Sequence, residues 1–147
     1  MSLPISPPDV LCFSQLRWDF VYQRPNHLMA RAARDHRVWY VEEPVFEHDG
    51  PRLIVEERHP GLAMVRPVVP PGWPEADVDS AVSLLLHEFA QNNGIERPIA
   101  WYYTPMALPW TTWLEPAITV YDCMDELSAF RFAPPKAALI VFSAPVT

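Results

Sequence analysis

Glycine is scarce in this sequence, which has 4 glycines and 18 prolines among its 147 residues. No glycine occurs before Gly50, so the first predicted strand is followed by Ser14 and not by a glycine-rich turn. A pyrophosphate approaches the backbone closely only where G-x-G-x-x-G or a Walker A loop allows it. No G-x-S-x-G nucleophile elbow occurs either. The sequence therefore argues against a dehydrogenase, a P-loop enzyme and an α/β-hydrolase.

Basic residues and cysteines are also few. Eleven lysines and arginines against 18 acidic residues give a formal charge of −7, whereas a general nucleic-acid binder needs a basic stripe. We therefore expect no nucleic-acid partner. Cys12 and Cys123 lie in apolar strand-like segments, which favours buried, reduced thiols in a cytoplasmic protein. The histidines show no paired ligand spacing and no C-x-x-C occurs, so no metal site is predicted.

Long apolar runs are missing too. No stretch of ~18 apolar residues predicts a transmembrane helix, and the first residues lack the pattern of a signal peptide. Half of the residues are hydrophobic, which is enough for a sizeable core, and the length fits one domain. We interpret residues 1–8 as a leader and residues 9–147 as one domain.

Strand-like and helix-like segments alternate along this domain. Strands are predicted at 10–13, 37–41, 53–55, 62–65, 99–103, 118–121 and 138–142, with a turn at 59–61. A helix is predicted to begin at Pro25, a long one to span 75–92, and short helical turns to lie near 108–114 and 125–130. Prolines at 67, 70, 71 and 74 predict a rigid surface crossing, because proline disrupts helices and central strands. This alternation predicts an α/β fold, a Rossmann-like three-layer sandwich with a mostly parallel sheet.

Polar residues follow several of the predicted strands directly. In parallel sheets, ligands bind outside the carboxyl ends of the strands, near the point where the strand order reverses. That rule selects Ser14 and the loop to residue 24, then Glu42-Glu43, Thr104, residues 122–126 and Ser143. A Rossmann-like order predicts that the 15–24 loop and Thr104 face each other across the crevice.

The charged candidates have two interpretations each. Arg24 and His27 stand at a predicted helix start, where unpaired N–H groups attract anions, so they could bind a phosphate or sugar hydroxyls, or Arg24 could only shield the helix. Asp122 could orient a sugar hydroxyl or accept its proton, or pair with an arginine. Asp125 could bind substrate or cap the next helix.

Two further groups of residues also have two interpretations each. Glu42 and Glu43 could accept hydrogen bonds from hydroxyls or be ordinary surface carboxylates at a strand end. Trp18, Phe20 and Tyr22 share one loop, which could stack on a sugar or a lipid-linked acceptor or fold back onto the core.

Three segments together resemble a family of bacterial glycosyltransferases, which includes the teichuronic acid biosynthesis glycosyltransferase. Residues 13–28, with Trp18 and the run QRPNHL, are similar to the family's W…QRPQH opening. Residues 38–44 resemble its next strand, and the run VYDCMDELSAF at 120–130 is similar to its YDCMDDWSAF stretch. Asn26 stands where the family commonly has glutamine.

The resemblance implies one half of a GT-B enzyme, whose two Rossmann-like domains face a cleft. This chain would be the N-terminal, acceptor-side domain without the donor-binding domain, and we expect it to be inactive alone. The full enzyme would transfer a sugar from a nucleotide-sugar to a cell-envelope polysaccharide or glycolipid acceptor, without a metal or other cofactor. The resemblance puts Arg24, His27, Asp122 and Asp125 beside the cleft.

From these positions we take Asp122 and His27 as candidate catalytic bases. Substrate binding is assigned to a second set: Ser14, Trp18, Arg24, Glu42, Glu43, Thr104 and Asp125. The expected partners are the acceptor and the missing domain, and an exposed interdomain surface predicts self-association. The expected location is cytoplasmic, with peripheral contact to the inner membrane face as one alternative. The rival function is a stand-alone, non-catalytic carbohydrate-binding or interaction module.

Overall fold

A computed structural model describes residues 6–20, 24–123 and 139–143. The strands are β1 (Val10–Phe13), β2 (Val38–Val41), β3 (Val45–Phe46), β4 (Arg52–His59), β5 (Leu62–Val69), β6 (Ile99–Tyr102), β7 (Ile118–Cys123) and β8 (Leu139–Ser143). The helices are α1 (Arg24–Ala32), α2 (Glu75–Asn92) and a 3₁₀ helix (Pro105–Trp110). Helix α2 has the predicted bounds, and the predicted helical turn near 125–130 lies outside the described residues.

The strands form one sheet, in which β5, β2, β1, β6, β7 and β8 lie side by side and every neighbouring pair is parallel. Strand β4 pairs antiparallel with β5. Val68 of β5 pairs with both Arg52 of β4 and Val45 of β3, so β3 lies on the opposite edge of β5 from β4, beyond the end of β2. Numbered along the chain, the six parallel strands have the order 3-2-1-4-5-6 of doubly wound sheets. The predicted α/β fold with a mostly parallel sheet is confirmed.

Helical segments cover both faces of this sheet and make it the middle of three layers. On one face, α2 and the 3₁₀ helix bury Val82, Leu86 and Trp110 against Phe13 and Tyr102, whose rings stack at 5.0 Å. On the other face, Met29 of α1 packs in a second cluster with Cys12 and Tyr40. The strands are therefore apolar on both sides, as a buried parallel sheet requires.

The predicted surface crossing at 67–74 is wrong at its start, because Pro67 lies inside β5. The carbonyls of Val65 and Val69 accept bonds from Glu42 and Glu47, so residues 65, 67 and 69 face the edge occupied by β2 and β3. Pro67 falls where these two strands are interrupted. None of the described strands needs its missing N–H at that point, which is where a sheet tolerates proline.

The short helix predicted near 108–114 lies earlier, at 105–110, and is a 3₁₀ helix. The Thr104 hydroxyl accepts a bond from the Met106 N–H, and Pro105 occupies the first helical position, which needs no N–H donor. These local signals fix the start of the helix directly after β6.

The predicted turn between β4 and β5 is confirmed at Pro60-Gly61. Gly61 has φ +80°, and a Cβ at this position would lie 2.7 Å from the Ala33 carbonyl oxygen at the end of α1. The turn thus packs directly on the helix terminus. None of the helices in the described part of the chain has the length and apolar character that a membrane span requires.

Candidate functional site

The strand order reverses between β1 and β6. Strand β1 pairs with β2 on one side and with β6 on the other. The Ser14 N–H donates to the Val41 carbonyl at 3.1 Å, and the Tyr103 N–H donates to the Phe13 carbonyl at 2.8 Å. The carboxyl ends of the three strands are therefore held together, and Ser14 and Thr104 follow the two strands that flank the reversal.

The hydroxyls of Ser14 and Thr104 are both buried and both accept local backbone bonds. Ser14 Oγ accepts from the Leu16 N–H at 3.1 Å, and Thr104 Oγ1 accepts from the Met106 N–H at 3.2 Å. Each hydroxyl shapes the first turn after its strand. The structure thus gives both residues a local role at the crevice, and their contact with a substrate stays a prediction.

Glu42 follows β2 and its side chain is fully buried. Its Oε1 accepts from Arg66 Nε at 2.7 Å and from Arg17 Nη1 at 3.3 Å, and its Oε2 accepts from the Trp18 N–H at 2.8 Å. Both carboxylate oxygens therefore hold the loop after β1 against the sheet. The geometry makes Glu42 a positioning residue, and substrate binding by this group would require these bonds to be exchanged.

The loop after β1 is bound at further points. The Trp18 carbonyl accepts from Asn26 Nδ2 at 3.0 Å, and the Leu16 carbonyl accepts from the Tyr40 hydroxyl at 2.8 Å. The Trp18 ring meets the Tyr40 ring edge-on at 5.1 Å. Asn26 thus ties the loop to the first turn of α1, and the interpretation of a loop folded onto the core describes Trp18.

The two other aromatic residues of this loop differ from Trp18. The Phe20 side chain is 76% exposed. Tyr22 lies outside the described residues. An aromatic contact with a ligand is therefore open to Phe20 without any rearrangement of the core.

A row of alternating charges passes through the buried Glu42 and extends towards solvent. In order, it contains Arg17, Glu42, Arg66, Asp19, Arg58 and Glu56, and we call it the charge ladder. Asp19 accepts from Arg58 Nε and Nη2, both at 2.9 Å, and its Oδ2 lies 3.9 Å from Arg66 Nη2. Glu56 accepts from Arg58 Nη1 at 2.7 Å. These contacts connect the loop after β1 to the hairpin of β4 and β5.

Sequence reasoning selected the loop that contains Arg17 without naming this arginine, and it did not select Arg58 or Arg66. One signal was present, because Arg66 is a single charge within the apolar strand sequence LAMVRPVV. A charge in a buried strand needs a partner, and here the partner is Glu42. The carboxylates of Asp19 and Glu56 bond to Arg58 and raise its pKa above the ordinary value.

Asp122 is fully buried on the face of the sheet that α1 covers, opposite the neighbouring Tyr121. Burial raises the pKa of the Cys12 thiol, and the charge of Asp122 raises it further. Burial is also the main cause that raises the pKa of the Tyr40 hydroxyl. The Asp122 side chain therefore lies close enough to the Cys12 thiol to favour its protonated form.

The remaining candidates lie in different settings. His27 is exposed in the first turn of α1, whereas Glu43 is half-buried and its backbone carbonyl accepts from Arg17. Arg24 is the first residue of α1, but the structure does not describe its side chain. Asp125 lies outside the described residues. Among the described residues, no group of three histidine, cysteine or acidic side chains is arranged to hold a metal ion.

Taken together, the strand order and the reversal between β1 and β6 define a doubly wound α/β domain whose candidate site is the carboxyl edge of the sheet. Comparison with protein-family models, with curated proteins and with solved structures finds no match to this chain.

Proposed function

We propose that this chain is the acceptor-side domain of a GT-B glycosyltransferase that builds a cell-envelope polysaccharide or glycolipid. One observation carries the proposal. The three segments that resemble this enzyme family, 13–28, 38–44 and 120–130, contain the carboxyl ends of β1, β2 and β7. Although these segments are far apart in the sequence, the parallel sheet brings the three ends to one edge. Doubly wound domains bind their ligands at that edge.

Sugar transfer to a hydroxyl requires that the hydroxyl lose its proton, and the two candidate bases differ in access. His27 is exposed at the start of α1, whereas Asp122 is fully buried. Imidazole is the commonest general base in enzymes. We therefore assign proton transfer to His27 and assign to Asp122 the support of the strand end beneath the acceptor.

A binding measurement tests where the acceptor lies. The ¹⁵N-labelled chain is titrated with oligosaccharide fragments of bacterial envelope polysaccharides, and the amide shifts are mapped. We expect the largest shifts at Ser14, Thr104 and His27. Shifts confined to the opposite edge of the sheet, or no binding by any fragment, would refute a carbohydrate site at the carboxyl edge.

A transfer measurement then separates an enzyme domain from a binding module. The chain is combined with a separately expressed donor-binding domain of a GT-B glycosyltransferase, a nucleotide-sugar and the fragment that binds. Release of nucleoside diphosphate is recorded for the native sequence, His27→Ala and the control His59→Ala, which alters an exposed histidine at the end of β4. Turnover that falls by ~10²-fold or more only in His27→Ala supports the proposal. Edge binding without turnover favours the non-catalytic module.

A further inference from the structure

Arg58 and Arg66 lie side by side in a chain whose net formal charge is −7. Both guanidinium groups approach the same carboxylate oxygen, Oδ2 of Asp19, at 2.9 and 3.9 Å. The two arginines come from the hairpin of β4 and β5, and Asp19 comes from the loop after β1. Two cations from one rigid element thus share one anion from a separate loop.

The two sides of this contact are unequally fixed. The side chains of Arg58 and Arg66 are 23% and 24% exposed, whereas that of Asp19 is 49% exposed. Each arginine also keeps a second carboxylate, because Glu56 bonds to Arg58 and Glu42 bonds to Arg66, both at 2.7 Å. Departure of Asp19 would therefore leave both guanidinium groups in place. A receptor that is held in this way binds a ligand without a large ordering cost.

The shape of the contact indicates the class of anion. Nε and Nη2 of Arg58 grip Asp19 side-on, which is also how arginine binds phosphate. Arg66 Nη2 is too far from Asp19 for a hydrogen bond at 3.9 Å. Asp19 thus hydrogen-bonds to only one of the two arginines, whereas a phosphate presents more acceptor oxygens and a larger charge.

We propose that Arg58 and Arg66 form a binding site for a phosphate or diphosphate group, and that Asp19 is its exchangeable internal occupant. When a phosphate binds, Asp19 leaves the fork of Arg58 and the outer part of the loop after β1 is released, while Glu42 retains the inner part. Exposed ion pairs are weak, so a small ligand can displace Asp19 from Arg58. This site does not rest on the glycosyltransferase proposal.

Pyrophosphate is the probe for this site, titrated by calorimetry at constant low ionic strength. Asp19→Asn removes the competing carboxylate, and we expect pyrophosphate to bind up to about fivefold more tightly. Asp49→Asn is the matched control, since it makes the same charge change at an exposed aspartate that pairs with Arg52. We expect Asp49→Asn to bind like the native chain. Equal gains in the two variants would reduce the effect to net charge and overturn the proposal.

The arginine variants supply the second half of the test. Arg58→Gln is expected to weaken pyrophosphate binding by about tenfold or more, because a charge-assisted fork is lost. Arg52→Gln removes an arginine of another exposed ion pair and is expected to keep the affinity. Equal affinities of these two variants overturn the proposal. If Arg58→Gln does not fold by circular dichroism, the two aspartate variants decide alone, because both keep every arginine.

Two sources of phosphate are separated with vesicles. Phosphatidylcholine vesicles with and without phosphatidic acid are sedimented with the native chain and with Asp19→Asn. Sedimentation that needs phosphatidic acid and increases in Asp19→Asn assigns the site to a lipid headgroup. Pyrophosphate binding without sedimentation assigns it to a soluble phosphate ester. Binding to neither probe by either chain refutes the site.

Discussion

Replacing Glu42 with glutamine removes one negative charge from the buried part of the charge ladder and keeps the side-chain volume nearly unchanged. The carboxylate accepts from Arg66 at 2.7 Å, from Arg17 at 3.3 Å and from the Trp18 N–H at 2.8 Å. Glutamine retains one acceptor oxygen, but its NH₂ group then points at a donor. The variant therefore loses the charge that two arginines share and gains a donor–donor conflict.

The expected loss of folding free energy follows from the burial of Glu42 and of its two arginine partners. Removal of one member of a fully buried ion pair costs ~3–5 kcal/mol of folding free energy. Here Glu42 is fully buried, but Arg66 and Arg17 are 24% and 34% exposed, so water compensates part of the lost charge. We expect a loss of about 2–3 kcal/mol. With a urea m value of ~2 kcal/mol/M, the midpoint of unfolding falls by about 1 M or slightly more.

The assay is urea unfolding at fixed pH and ionic strength, followed by tryptophan fluorescence. Glu43→Gln is the control, because it neutralises the adjacent, half-buried carboxyl and keeps the backbone carbonyl that Arg17 binds. We expect the control to stay within about 0.5 kcal/mol of the native sequence. A loss below about 1 kcal/mol in Glu42→Gln, or equal losses in both variants, would show that Glu42 does not anchor the loop after β1.

Three further predictions concern the core and its turns. Gly61→Ala should cost about 2–4 kcal/mol, since it combines positive-φ strain with a Cβ 2.7 Å from a carbonyl, whereas Gly72→Ala has the strain alone and should cost about 1–2 kcal/mol. Thr111→Val should cost about 1–3 kcal/mol in urea unfolding, because it leaves the buried Tyr102 hydroxyl without its 2.7 Å bond. Burial raises the pKa of Tyr40 and Tyr102, so the folded state keeps protons that the unfolded state loses near pH ~10. The free energy of unfolding should therefore fall as the pH rises above ~10, and less steeply in Tyr40→Phe.

Each of these predictions has an outcome that contradicts it. Equal losses in the two glycine variants would mean that the end of α1 yields to the added Cβ. Thr112→Val alters an exposed neighbour that follows the 3₁₀ helix, and a loss as large as that of Thr111→Val would show that the lost bond to Tyr102 is not the cause. If the free energy of unfolding fell equally steeply with pH in Tyr40→Phe, the Tyr40 hydroxyl would have the same pKa in the folded and the unfolded chain.

The sequence predicted elements well where the signal is local. Helix α2 has its predicted bounds because apolar residues recur at helical spacing along it and Asn93-Gly94 ends it. The turn at Pro60-Gly61 was also predicted from a local signal, the proline and glycine between two apolar segments. Pro67 shows the limit of such signals, because its place inside β5 depends on a gap between β2 and β3. That gap arises from the pairing of strands distant in the sequence.

The place of the candidate site was also predictable, but the roles of its residues were not. The rule for parallel sheets selected Ser14, Glu42 and Thr104 at the carboxyl edge, and the strand order puts them there. A buried carboxylate and a ligand-binding carboxylate look alike in a sequence. Glu42 acts as an anchor because Arg17 and Arg66, which come from two other segments, form ion pairs with it in the folded chain.

The antiparallel strand β4 has a consequence for solubility. In the described part of the chain β4 pairs with β5 alone, so its outer edge is a row of backbone groups on which another chain could add a strand and begin to aggregate. The last four residues of this strand are Glu-Glu-Arg-His. Charged side chains of both signs disfavour such pairing. The segment that supplies Arg58 to the charge ladder therefore also protects the sheet from growing into an aggregate.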